Sequence, residues 1–194
     1  MSNVARLLAA VKTLHESHSA LARFAPWPDD LSEQQVMPIP CPAAQSLGQR
    51  ALPGSRWTAP VIRALRRAAP EMEWRQTYTE EEVGPRFLET YGYIELFGPT
   101  GHFHSRQLRG YIGYWGPDLT YDWHAHEAEE VYFTLSGAAV FSAHGAPNKM
   151  MRVGDARLHT SHQPHLMITL DRPYLAYALW RGEGMEGLPM MMAS

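Results

Sequence analysis

Four residues capable of chemistry crowd one short stretch, YDWHAHEAEEVYFTLSG at residues 121–137: His124, His126, Glu130 and Tyr132. Alternate residues of a strand share a face. His124 and His126 therefore point the same way if Asp122 to His126 is extended. Glu130, Tyr132 and Thr134 share one face of the next strand, opposite Val131, Phe133 and Leu135. Ala128 and Glu129 fall where a hairpin turn would bring the histidine pair beside the Glu–Tyr pair. Two imidazoles and a carboxylate meeting inside a barrel need something to neutralise and orient them, and a divalent metal does both.

A further ligand must come from a distant strand. The run GDARLHTSHQPHLM offers His159, His162 and His165. His165 follows Pro164 and opens HLMITL, a strand start that fixes its direction, whereas His159 and His162 lie in a looser stretch expected to face solvent or a lid. The candidate ligands are thus His124, His126, Glu130 and His165. Such a set suits zinc or iron(II), and also manganese, cobalt or nickel. The other five of the ten histidines, His15, His18, His102, His104 and His144, share no evident role.

The elements that must position these groups are mainly strands. After Pro70, short runs rich in Val, Ile, Tyr, Phe and Trp alternate with Gly, Pro, Asp and Asn, the pattern of an antiparallel sandwich or barrel. Before it the chain is helical. Leu7, Val11, Leu14 and Leu21 recur at helical spacing from Val4 to about Phe24, with Ser2 or Asn3 as cap, and APWPDD ends the run. Asp29 or Asp30 is expected to cap a short helix through Gln35, MPIPCPAA to be extended, and Ser55 or Thr58 to open a helix over APVIRALRRAA, whose arginines face solvent. The expected organisation is a helical segment, residues 1–70, packed on a β-barrel, residues 71–194, as one compact unit. The tail EGLPMMMAS reads equally well as a loose end or as a strap over the core.

Both motifs resemble those of the cupins. HAHEAEEVYFTLSG is similar to the first, with H-x-H, a glutamate four residues on and a later glycine, Gly137; GDARLHTSHQPH is similar to the second, with a Gly154–Asp155 turn and a Pro164–His165 pair. Within the cupins, the chain resembles bacterial dimethylsulfoniopropionate (DMSP) lyases of the DddQ kind, loosely over most of its length and more closely over residues 111–182. That resemblance implies a jelly-roll barrel, with His126, Glu130 and His165 as metal ligands and His124 as ligand or substrate contact. It implies Tyr132 in catalysis, Trp180 lining the substrate pocket, and Tyr121 as an aromatic of the same site.

The implied reaction splits DMSP into dimethyl sulfide and acrylate. A base removes a proton beside a carboxylate, which already carries charge and poorly stabilises more, so a Lewis acid on that carboxylate is needed. A nearby dication also lowers a tyrosine's pKa from about 10, making Tyr132 a plausible base. Tyr121 is the reserve, although its odd-numbered position does not share the face of His124 and His126 in a regular strand. Aromatic faces bind a sulfonium through their quadrupole. Among Trp115, Trp123, Trp180, Tyr111, Tyr114 and Tyr121, Trp180 is the first candidate.

Composition bounds the alternatives. The chain has 194 residues, 45% hydrophobic and 19% charged, with a net charge of −3 and one cysteine, Cys41. It reads as a cytoplasmic soluble domain with no intrachain disulfide, no transmembrane segment and no electrostatic case for nucleic acid. Its partner is expected to be a small molecule, as monomer or dimer. The rivals are another metal-dependent cupin enzyme, a dioxygenase or isomerase, and a non-catalytic cupin that binds a small ligand. Oxygen uptake separates the dioxygenase from a lyase, and tolerance of Tyr132→Phe marks the binder.

Overall fold

The computed structural model describes residues 1–192; Ala193 and Ser194, the end of the tail, lie outside the described residues. The N-terminal third is helical: α1 (Asn3–Ser17), α2 (Ser19–Phe24), α3 (Pro42–Gln49) and α4 (Ala59–Ala68). Ser2 caps α1, its hydroxyl accepting from Ala5 N at 3.1 Å. The expected single helix to Phe24 is interrupted at His18. That residue is extended and turns its ring back to cap α2 through Ala20 N. Two further local expectations are overturned. No helix follows Asp30, because its carboxylate is taken by Ser105 Oγ (2.6 Å) and Arg106 N (2.7 Å), which leaves Ser32–Glu33 as the edge strand β1. MPIPCPAA is only partly extended, since Pro42 occupies the first turn of α3, where its missing N–H costs nothing.

Helix continues past Pro70 in α5 (Glu80–Val83) and α6 (Pro85–Thr90) before the barrel begins. The strands are β2 (Tyr91–Gly98), β3 (Phe103–His104), β4 (Arg109–Trp115), β5 (Thr120–Ala125), β6 (Glu129–Ser136), β7 (Ala138–Ala143), β8 (Ala146–Arg152), β9 (Ala156–His159), β10 (His165–Thr169), β11 (Tyr174–Arg181) and β12 (Met190–Met191). They form two sheets, ordered β1-β3-β2-β4-β11-β6-β9 and β12-β5-β10-β7-β8. Nearly all of the pairing is antiparallel, as the short turn-separated runs require.

The larger sheet is buried on both faces, so β4 and β11 show almost unbroken burial rather than alternation. Residue identity reveals the two faces. Val131, Phe133, Leu135, Leu175, Tyr177 and Leu179 pack with Leu7, Val11, Leu14, Val61 and Leu65 of the helices. Tyr132, Trp180, Tyr111 and Trp115 point the other way, into a second core that the smaller sheet closes with Tyr121, Phe141 and Met167. Tyr132, Trp180 and Glu130 thus face the space between the sheets. Gly137, the last glycine of the first motif, sits at φ +78° in the β6–β7 turn, and a β-carbon there would stand 2.1 Å from Pro173 O. Among the described residues, no helix is long and apolar enough to cross a membrane.

Candidate metal centre and aromatic pocket

The candidate ligands converge, though not through the expected hairpin. β5 pairs with β10 and β12, whereas β6 pairs with β11 and β9. The turn after His126 therefore carries the chain from one sheet to the other, and the histidines meet Glu130 across the barrel interior. His126, Glu130 and His165 each offer a ligand atom within 4.8 Å of the others, all buried. His126 Nε2 lies 3.1 Å from Glu130 Oε2, and His165 Nε2 lies 3.4 Å from the same oxygen. His124 is buried beside them, its ring centroid 4.1 Å from that of His165, but it stands outside this trio.

Backbone carbonyls set the tautomers. The Nδ1 of His124 contacts Asp122 O (2.7 Å), that of His126 contacts Ala128 O (2.8 Å), and that of His165 contacts Gln163 O (2.8 Å). A carbonyl only accepts, so each Nδ1 carries the hydrogen and each neutral ring keeps its lone pair on Nε2. Two such lone pairs, from His126 and His165, face a carboxylate that is itself an acceptor. The buried Nε2 of His165 has no hydrogen-bond partner. Burial alone would raise the pKa of Glu130; protonating His126 at Nε2 supplies the charge and hydrogen bond that hold it well below the usual carboxylate range, whereas with both rings neutral its Oε2 faces acceptors only. Burial likewise works against a charged His126, and the Glu130 carboxylate overrides it, raising that imidazole. His124 is driven well below its ordinary value by burial, then by His165. Acceptors facing acceptors around a buried anion are what a bound cation resolves, and two imidazoles with one carboxylate are a donor set for a first-row transition metal.

Trp180 does more than line a wall. It pairs with Glu130 in the β11–β6 register, donates Nε1–H to Glu130 Oε1 at 2.7 Å, and stacks on His126 with centroids 4.1 Å apart. One carboxylate oxygen is thereby fixed and the other is left for the imidazoles. His159 corrects another expectation. It is fully buried on β9 directly opposite Glu130, stacked on His165 at 4.0 Å, and neither ring nitrogen has a partner. Burial, followed by the neighbouring His165, lowers its pKa to about 3, so it is a neutral ring at neutral pH. His162 is exposed, as expected.

Tyr121 joins the site because β5 is not regular. His124 pairs with His165 and Tyr121 with Met167, so the three residues of β10 from His165 to Met167 oppose the four of β5 from Tyr121 to His124. The resulting bulge resets the alternation, and the Tyr121 ring stacks on His124 at 3.9 Å. Its hydroxyl is engaged by Tyr78, 2.5 Å away, a residue that belongs to neither motif. Tyr132 is also buried. Burial and then the Glu130 charge push its phenol well above the ordinary value, and no hydrogen bond offsets them. Tyr91, Tyr93, Tyr111, Trp115, Tyr132 and Trp180 line one cavity together with Glu130. Tyr114 instead faces the helical core, and Trp123 lies against His144.

A two-sheet barrel whose first H-x-H-x₃-E motif and later Pro-His pair converge on one interior point defines a cupin with a candidate metal centre. A family model described as dimethylsulfoniopropionate lyase matches residues 15–176. The chain belongs to that family, whose members are carbon–sulfur lyases. It is 36% identical over 185 residues to the dimethylsulfoniopropionate lyase DddQ of Ruegeria pomeroyi, covering 95% of this chain and 92% of that one. The solved structure of that DddQ superposes with a TM-score of 0.93 at 35% identity, covering 98% of this chain and 96% of the other. A chain from the crystal structures of the DMSP lyases RdDddP and RnDddQII gives 0.96 at 41%, covering 98% of each.

Proposed function

We propose that the protein is a metal-dependent DMSP lyase that eliminates dimethyl sulfide and leaves acrylate, with Tyr132 as the base. The observation that carries the reading is the convergence of the Nε2 lone pairs of His126 and His165 on the Glu130 carboxylate, each ring held by a backbone carbonyl behind it. His126, Glu130 and His165 would hold a divalent cation, which would supply positive charge for the substrate carboxylate and for a nearby phenolate.

The remaining chemistry belongs to the chain. Tyr132 is two residues from Glu130 on the same face and has a hydroxyl uncommitted to the protein, whereas that of Tyr121 is bound to Tyr78. As a phenolate, Tyr132 takes the proton from the carbon beside the carboxylate. That electron pair becomes the new double bond, and the C–S bond breaks with its electrons on sulfur, which departs as the neutral thioether. Neutral His124, stacked on Tyr121, borders the carboxylate end. The faces of Tyr93, Tyr111 and Trp180 surround the sulfonium end, each worth about 0.5–2 kcal/mol when desolvated. Burial between two sheets excludes the water that would otherwise solvate both charges.

Headspace measurement of dimethyl sulfide from purified, metal-loaded protein given DMSP tests this directly. Release that persists without oxygen and stops with a chelator is the expected result. No release from protein with a full metal complement overturns it.

A further inference from the structure

After β11 the chain turns back over the aromatic cavity as a strap, described through Met192. Gly184, at φ +70°, packs so tightly on the turn after β5 that a β-carbon there would stand 2.4 Å from Glu127 Cβ. Arg109 Nη1 donates to Met185 O (2.8 Å) and Gly187 O (2.9 Å). Met190 and Met191 pair with Ala125 and His124 of β5, and Met192 N donates to Trp123 O at 2.9 Å. Between these attachments Leu188 and Pro189 line the cavity.

The latch is built from buried charge. Arg109 is 4% exposed and gives Nη2–H to Glu95 Oε2 at 2.9 Å; Glu95 is also buried and accepts from Arg75 and from Thr100. The same guanidinium lies 4.9 Å from the Tyr111 ring centre and 5.9 Å from that of Trp180. One buried group thus ties the strap to two walls of the cavity. Leu188 remains 57% exposed, an apolar side chain spent at the mouth rather than in a core. The cavity is narrow, with a volume of about 50 Å³, and opens to solvent on one side, so the bulk of an entering substrate meets its walls, of which Leu188–Pro189 is a stretch outside any strand or helix.

We infer that Leu188 is a specificity-determining residue for the alkyl groups carried on sulfur, and that Arg109 is the positioning residue that sets its height over the aromatic cage. This rests on the lyase reading above. A sulfonium spreads its charge onto its alkyl groups, which need apolar contact without room to spare, and one added methylene in such a pocket changes selectivity by about 10- to 200-fold.

The test compares kcat/KM for dimethyl- and diethylsulfoniopropionate, read as the dialkyl sulfide in the headspace, with metal content measured on each protein. Leu188→Ala is expected to raise the diethyl-to-dimethyl ratio about tenfold, and Leu188→Trp to lower it while raising KM for the dimethyl substrate. Arg109→Lys keeps a charge for Glu95 but loses the fork that spans two carbonyls. It is expected to raise KM several-fold with kcat nearly unchanged and to relax the same ratio. Leu188 variants that match the wild-type ratio within twofold overturn the inference whatever Arg109→Lys does, including failing to fold. A metal-loaded wild type that cleaves neither substrate overturns the lyase reading instead.

Discussion

Trp180→Phe isolates one hydrogen bond at the candidate metal centre. The substitution removes the Nε1–H donor, 2.7 Å from Glu130 Oε1, and retains an aromatic ring able to stack on His126, now 4.1 Å away. A hydrogen bond to a buried charged group contributes about 1.5–3 kcal/mol, and freeing Glu130 to rotate removes the orientation that directs Oε2 at His126 and His165. The expected result is a loss of about 10- to 100-fold in metal affinity, read by competition with a chromophoric chelator. The smaller ring also leaves a gap, so a lower melting temperature is expected and decides nothing. Trp115→Phe is the control. It deletes an indole N–H that is buried without a partner in the same cavity and so should leave metal affinity within about twofold of wild type. Equal affinity of the Trp180 variant and wild type, with the control also unchanged, would show that Glu130 needs no external orientation and refute the reasoning.

Tyr132→Phe should keep fold and metal but lose about 100-fold or more of the elimination rate, the scale of a general base; a near-native rate would transfer the role to Tyr121. His159 makes the metal-free protein acid-sensitive. Between the ordinary histidine value near 6.5 and about 3, the unfolded chain binds a proton that the buried ring refuses, so stability falls as pH falls, by up to about 1.4 kcal/mol per unit. His159→Phe, which preserves the stack on His165, should flatten the decline in urea midpoint between pH 6 and 4, and parallel curves for the two proteins would contradict this. Glu95→Ala leaves Arg109 buried without its carboxylate, a loss of about 3–5 kcal/mol in urea unfolding. A cost under 1 kcal/mol would mean that the latch is relieved by solvent.

What was legible in the sequence follows the range of the interactions responsible. The facing of Glu130 and Tyr132 away from Val131 and Phe133 is a period of two along eight residues of β6, and it is read locally. Pro164 announces the start of β10 and with it the direction of His165. The inclusion of Tyr121 is legible only through the family resemblance and not from strand alternation, because a bulge defined by pairing with β10 inverts its phase. Nor is the separation of β5 from β6 readable, since the adjacency of two runs in sequence does not say which sheet each joins. The burial of His159 is hidden from the sequence for a related reason. Its burial comes from β9 closing the larger sheet beside β6, and a short polar run carries no trace of that contact. The pairing of Trp180 with Glu130 spans fifty residues and depends wholly on the register of β11. The residue types that can do chemistry are therefore local information, but the direction of their lone pairs is not. His126 and His165 each turn Nδ1 to a carbonyl two residues away, and that habit becomes a candidate metal-binding geometry only when the fold sets the two rings 5.2 Å apart beside Glu130. A substitution that shifts the β5–β10 register by one residue would keep every candidate ligand in the sequence and still disperse the centre.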